Sequence, residues 1–164
     1  MGTSERTRTV TWEDPTAGAA RGASLSGLEH IRAIMAGTLP PAPIAQLMGF
    51  DVVEASEGRC VFTVEPAEYH YNPIGVVHGG LAATLLDSCM GCAIHTALPR
   101  GKGYTTLEIK VNYVKALRRD TGPVRATGTV IHVGNRVATA EGKIQDASGK
   151  LYAHGTTTCL VFAE

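Results

Sequence analysis

No excess of charge marks this 164-residue chain: Lys and Arg together number 15, as do Asp and Glu. A balanced chain has no global field to gather nucleic acid or an acidic membrane surface, so an anionic ligand must be met by a local patch. Nor is there an uninterrupted apolar run of membrane length, because the most apolar stretch, residues 79–98, contains Thr84, Asp87, Ser88, His95 and Thr96. The first residues, Met-Gly-Thr-Ser-Glu-Arg-Thr-Arg, lack the apolar core of a secretory signal, and a cytoplasmic location is the expectation. Cysteine is scarce. Of Cys60, Cys89, Cys92 and Cys159, Cys89 and Cys92 form a C-x-x-C, but it lies in mid-helix and no second pair stands at metal-ligand spacing. Buried, reduced thiols are expected. His70, His95, His132 and His154 show no mutual spacing of a metal site, so neither a metal nor another cofactor is expected. Internal repeats are also missing, and the length suits one core rather than two.

What is present is a glycine-flanked histidine at the mouth of an apolar helix that carries a single acid. Gly79 and Gly80 open a proline-free run of small and apolar residues, which predicts a mostly buried helix over about 79–98. Asp87 falls more than two turns inside it, among Leu85, Leu86, Cys89 and Met90. Burial there would strip its hydration and raise its pKa, a state suited to a general base. The N-terminus of the same helix offers free backbone N–H groups to an oxygen that gains negative charge, with Gly79 as the donor that allows closest approach.

Residues 1–27 are rich in Ser, Thr, Gly, Ala and Arg without periodicity, and are expected to be a flexible N-terminal arm before a single domain over 28–164. Leu28, Ile31, Ile34 and Met35 recur at helical spacing, and a second short helix spans 43–48. Strands are predicted over 50–55 and 59–65, a hairpin, and after the long helix over 104–114, 122–133, 136–146 and 151–162. In the first of these later strands Leu107, Ile109, Val111 and Tyr113 alternate with Thr106, Glu108, Lys110 and Asn112. One long apolar helix and a mainly antiparallel sheet make an α+β architecture.

Asn72, Gly75, His78-Gly79-Gly80 and Asp87, followed by Thr105-Thr106 and an alternating strand, resemble the hotdog-fold acyl-CoA thioesterases of the phenylacetate-pathway (PaaI-type) group, within the 4-hydroxybenzoyl-CoA thioesterase superfamily. The similarity runs from about residue 47 to 162. It implies a long central helix wrapped by a curved antiparallel sheet of five to six strands. It also implies a homodimer as the minimal active unit, pairs of dimers, and active sites shared between subunits.

On this resemblance Asp87 acts as general base or as nucleophile on an aryl- or medium-chain acyl-CoA, with the Gly79 amide as oxyanion donor. His78 either touches the thioester or is a structural histidine; Asn72 either orients the carbonyl or water or shapes the turn before Pro73. Thr106 would hold the water near Asp87 of the other subunit, with Thr105 as its competitor, since a one-residue slip reverses the strand face. For the nucleotide end the candidates are Tyr113, Lys115 and Arg118 and the turn of Gly134, Asn135 and Arg136. Two alternatives compete: a non-catalytic acyl-CoA sensor and an enoyl-thioester hydratase. Residues 1–48 contain no helix-turn-helix and no basic recognition helix, which argues against a transcriptional sensor.

Overall fold

The computed structural model describes residues 5–163. Three short helices come first, α1 Pro15–Gly22, α2 Gly27–Met35 and α3 Pro43–Met48. The hairpin β1 Phe50–Ser56 and β2 Arg59–Val64 leads to the long helix α4, Gly79–Thr96. Four strands complete the chain: β3 Lys102–Tyr113, β4 Val124–Val133, β5 Val137–Asp146 and β6 Leu151–Ala163. All six strands pair antiparallel in one sheet of order β1-β2-β4-β5-β6-β3. No helix among the described residues is long and apolar enough to cross a membrane.

The helix lies on the sheet because the sheet gives it room. Gly128, Gly142 and Gly155 are cross-strand neighbours on β4, β5 and β6, forming a side-chain-free row beneath α4. A Cβ on Gly128 would sit 2.1 Å from the Cys89 carbonyl oxygen, and one on Gly142 2.9 Å from Met90 Cγ. Onto this trough α4 presses Leu81, Leu85, Leu86, Met90 and Ile94, all essentially inaccessible. Each such side chain contributes about 1.5–3 kcal/mol of burial.

The stretch read as an irregular arm carries α1, begun by Asp14, whose carboxylate accepts from the Thr16 N–H at 2.8 Å. Upstream of it, Arg8 stacks on Tyr69 at 4.1 Å and donates to the Gln46 carbonyl at 3.0 Å. Next, α2 starts on a capping box between Ser26 and Glu29, and the Gly27 N–H donates to the Leu98 carbonyl at 3.1 Å. Gly27 thus approaches the end of α4 so closely that a Cβ there would lie 1.7 Å from the His95 carbonyl oxygen. At the end of α3, Gly49 takes φ +70°, a left-handed cap that turns the chain into β1.

One feature of β3 departs from the sequence pattern. Its pairing with β6 shifts between Thr106 and Glu108, so Leu107 is the extra residue of a β-bulge and is 60 % exposed. Strict alternation would have put Thr106 on the face opposite Ile109, Val111 and Tyr113. The bulge instead brings Thr106 to the α4 side, the side to which Tyr113 also turns.

Candidate active site

The loop before α4 is folded by Asn72. Its Oδ1 accepts from the N–H groups of Ile74 (3.1 Å) and Val76 (3.3 Å), and its own N–H donates to the Val76 carbonyl at 2.8 Å. Gly75 closes this turn at φ +81°. The His78 N–H then donates to the His70 carbonyl at 2.8 Å, which fixes where the helix begins. His78 is the N-cap: its Nδ1 accepts from the Gly80 N–H at 2.8 Å, so the proton of the neutral ring sits on Nε2, in an exposed imidazole. His70 is the buried histidine of this region. It accepts from the Ala67 N–H through Nδ1, and its Nε2 lies 2.8 Å from the Met48 carbonyl; burial lowers its pKa.

Gly79 is the first residue of α4, so its N–H has no acceptor within the helix. Tyr113 covers it: the hydroxyl donates to the Gly79 carbonyl at 3.2 Å, and a Cβ on Gly79 would lie 3.1 Å from the ring. Around them opens a pocket of about 310 Å³ that gathers Asn72, His78, Gly79, Tyr113 and Lys115, five residues singled out from the sequence. Tyr152 also lines it, and Lys150 stands beside Lys115, lowering the Lys115 pKa through contact between the two amines. Neither Lys150 nor Tyr152 was singled out from the sequence. The signal for them is the pairing of Tyr113 with Ala153, which brings the start of β6 beside the end of β3. Arg118 is exposed just beyond, its N–H bonded to Thr121 Oγ1 at 2.9 Å.

Asp87 does not line this pocket. In contrast to the expectation of burial, it is exposed, because the apolar neighbours in its sequence face the sheet while Asp87 falls on the outer side of the helix. Its carboxylate accepts from Thr106 Oγ1 at 2.9 Å. That bond is made within one chain, whereas the sequence reading placed Thr106 against Asp87 of the other subunit. Thr106, not Thr105, faces the acid, and the bulge at Leu107 is the reason.

Two separations matter for chemistry. Gly79 and Asp87 are eight residues apart on α4, about 12 Å along its axis. The turn of Gly134, Asn135 and Arg136 belongs to the far end of the sheet: Val137 pairs with Leu160, which pairs with Thr105, eight residues along β3 from Tyr113 and about 26 Å away. One chain therefore brings Lys115 and Arg118 to one end and Arg136 to the other.

The C-x-x-C shows no redox or metal geometry. All four cysteines are free, Cys92 contacts Cys60 rather than Cys89, and no group of three metal-ligating side chains occurs among the described residues.

Residues 74–153 match the model of the thioesterase superfamily. The human protein named acyl-coenzyme A thioesterase 13 is 31% identical over 108 residues, 65% of this chain and 76% of its own length. A relative from Halobacterium salinarum with an esterase name is 33% identical over 103 residues, 60% of this chain and 66% of its own, just under two thirds. Among solved structures, the E. coli PaaI protein of the phenylacetic acid degradation operon superposes with TM-score 0.72 at 20% identity, covering 85% of this chain and 97% of that one. A Streptococcus mutans protein solved with acetyl-CoA bound gives TM-score 0.63 at 25% identity, covering 70% of this chain and 90% of its own.

Proposed function

Because the chain belongs to the thioesterase superfamily and has the hotdog fold, we propose that it hydrolyses acyl-CoA thioesters at a site shared between two copies of itself. The observation that carries this reading is the Thr106–Asp87 hydrogen bond, which holds an exposed carboxylate in a fixed orientation on the outer side of α4. An acid so placed, with no cation bridged to it among the described ion pairs, is positioned to take a proton from water. The thioester carbonyl carbon receives the hydroxide formed in that step. Its oxygen becomes anionic and is met by a backbone N–H, and collapse expels the thiolate of coenzyme A, which takes up a proton.

The N–H belongs to the Gly79 of a second copy. A carbonyl group accepts an oxyanion donor and an attacking water at about 3 Å each. Two groups about 12 Å apart along one helix do not both reach it. A dimer supplies the second set. β3 is a twelve-residue edge strand whose outer side has no partner in the sheet order, and pairing it with another β3 would join two sheets and bring Asp87 of one copy toward the α4 start of the other. The pocket of Asn72, Gly79 and Tyr113 then receives the pantetheine arm, and Lys115 with Lys150 meets phosphate. The acetyl-CoA held by the Streptococcus mutans protein supports this class of ligand. Coenzyme A enters as part of the substrate, and no resident cofactor takes part.

The test is thiol release from a panel of acyl-CoA esters, with Asp87→Asn run in parallel. Turnover by the native protein that falls at least about 100-fold in the variant supports the reading. Turnover that survives Asp87→Asn removes the acid from the reaction. Tight binding of acyl-CoA without turnover would make the protein a ligand sensor.

A further inference from the structure

His70 is 8% exposed, one of three buried polar side chains among the described residues, with Thr96 and Thr157. An imidazole loses its hydration at a cost unless both ring nitrogens find partners, and here both do. Nδ1 accepts from the Ala67 N–H at 2.9 Å, which puts the ring proton on Nε2, and Nε2 donates it to the Met48 carbonyl at 2.8 Å. That tautomer needs a neutral ring, in keeping with burial, which lowers the pKa. The backbone of the same residue is engaged as well: its N–H donates to the Ala67 carbonyl at 3.0 Å, and its carbonyl accepts from the His78 N–H at 2.8 Å. One residue thus joins the last residue of α3, the single 3₁₀ turn of Glu68–His70 and the N-cap of α4.

What these bonds hold in place is one peptide group. Of the N–H groups at the mouth of α4, that of His78 goes to His70, that of Gly80 to His78 Nδ1 at 2.8 Å and that of Leu81 to the His78 carbonyl at 3.1 Å. The Gly79 N–H is the one left without an acceptor among the described residues, and it lies between two that are fixed. A bridge between Tyr71 and Val77 closes the base of the intervening loop. Arg6, paired with Glu68 at 2.7 Å, and Arg8, stacked on Tyr69 at 4.1 Å, clasp the outer side of the turn that carries His70. His70 itself does not line the pocket of Asn72, Gly79 and Tyr113, so it can reach a substrate there only through the backbone.

We propose that His70 is a positioning residue for the reaction: its ring, bonded to Met48 and Ala67, holds its own carbonyl where it fixes the His78 N–H and thereby aims the Gly79 N–H at the thioester oxygen. The inference rests on the thioesterase reading and adds to it the brace that makes the oxyanion donor rigid. Such a donor works by being set in place before the charge develops, and a misplacement of about 1 Å can cost about 100-fold in rate.

Two variants take the brace apart. His70→Phe keeps the bulk of the ring and deletes both side-chain bonds, whereas His70→Gln retains a donor for the Met48 carbonyl. His70→Phe is expected to lower kcat about 10–100-fold with KM within about threefold of native, the pattern of an interaction realised in the transition state, and His70→Gln to lose only about 3–10-fold. The deciding measurement is a double variant. Gly79→Pro deletes the N–H at a helical position that tolerates proline, and in that background His70→Phe should cost less than about twofold more, because nothing remains to aim. An equal loss in both backgrounds would make His70 a support of the fold at large and overturns the proposal, as does a His70→Phe enzyme with native kcat. If the Phe variant does not fold, His70→Gln compared in the two backgrounds decides by the same rule.

Hydrogen exchange supplies an arm that needs no turnover. In His70→Phe, amides over residues 76–81 are expected to exchange at least about tenfold faster than in the native protein, while those of β4 stay unchanged. Unchanged exchange over 76–81, or equal acceleration throughout the chain, overturns the proposal. Acceleration confined to 76–81 in a protein that hydrolyses no thioester would leave the brace standing and the thioesterase reading fallen.

Discussion

The division of labour between two copies can be tested by giving each copy a different lesion. Gly79→Pro is suited to one of them. Proline at the first helical position deletes the N–H that would meet the oxyanion, yet that position tolerates its fixed φ. The preceding residue, His78, already has φ −63° and ψ 135°, the extended geometry a following proline requires. The added ring meets Tyr113, a 59% exposed side chain that can swing aside. Loss of one oxyanion donor is expected to cost about 10²–10³ in kcat. The second lesion is Asp87→Asn, about 12 Å further along the same helix. Each variant alone should be nearly inactive. If Gly79 of one copy serves Asp87 of the other, a mixed dimer has one site with both lesions and one with neither. Co-refolding the two variants in equal amounts makes half the dimers mixed, so about a quarter of native activity should return. The assay is thiol release, with size-exclusion chromatography to show that dimers form. Activity that stays at the level of the single variants would place both groups in one chain's site and refute the argument from helix length.

Three further outcomes are expected. Thr106→Val removes the donor to Asp87 and should lower kcat about tenfold, the lower end for a hydrogen bond to an exposed charged group, whereas Thr106→Ser should retain most activity. Gly128→Ala forces a Cβ against the α4 backbone and should cost about 3 kcal/mol, roughly 6–12 °C in Tm by calorimetry; a loss under 1 °C would show that the helix is not seated on that glycine. His95, packed against His30 and Tyr104 with its buried Nδ1 unpaired, has its pKa lowered from 6.5 to about 4, first by burial and then by His30. The unfolded chain therefore binds a proton that the folded one refuses. Stability should fall as pH drops from about 6.5 to 4, and His95→Phe should flatten that slope in urea midpoints measured at pH 7, 6 and 5.

The helix over Gly79–Thr96 and the six strands could be read from the chain because glycine, proline and charged turns punctuate clean periodic runs. The motif around His78 and Gly79 was equally visible. Three things were not. Burial of Asp87 was inferred from its neighbours in sequence, but Leu85, Leu86, Cys89 and Met90 all turn to the sheet, and only the helix phase relative to that sheet shows where residue 87 points. The face of Thr106 depended on a bulge, which leaves no mark in an alternation pattern. The helix in the N-terminal stretch is small and weakly apolar, and it lies where Gly18 comes close to Pro40 and Gly22 to His30, neighbours that no periodicity within residues 15–22 announces.

The extra residue at Leu107 divides β3 into two segments with independent duties. Beyond it, Ile109 and Val111 answer to the packing of α4 against the sheet. Before it, Thr106 answers to the acid. Because the bulge absorbs the change of phase, either segment can drift in sequence without forcing the other to compensate. Pairing the same residues without the bulge, with Leu107 taken into the ladder, would turn Thr105 inward and Thr106 outward while leaving the far segment in register. One irregularity of pairing thus separates a strand that only builds the sheet from one that also aims the carboxylate.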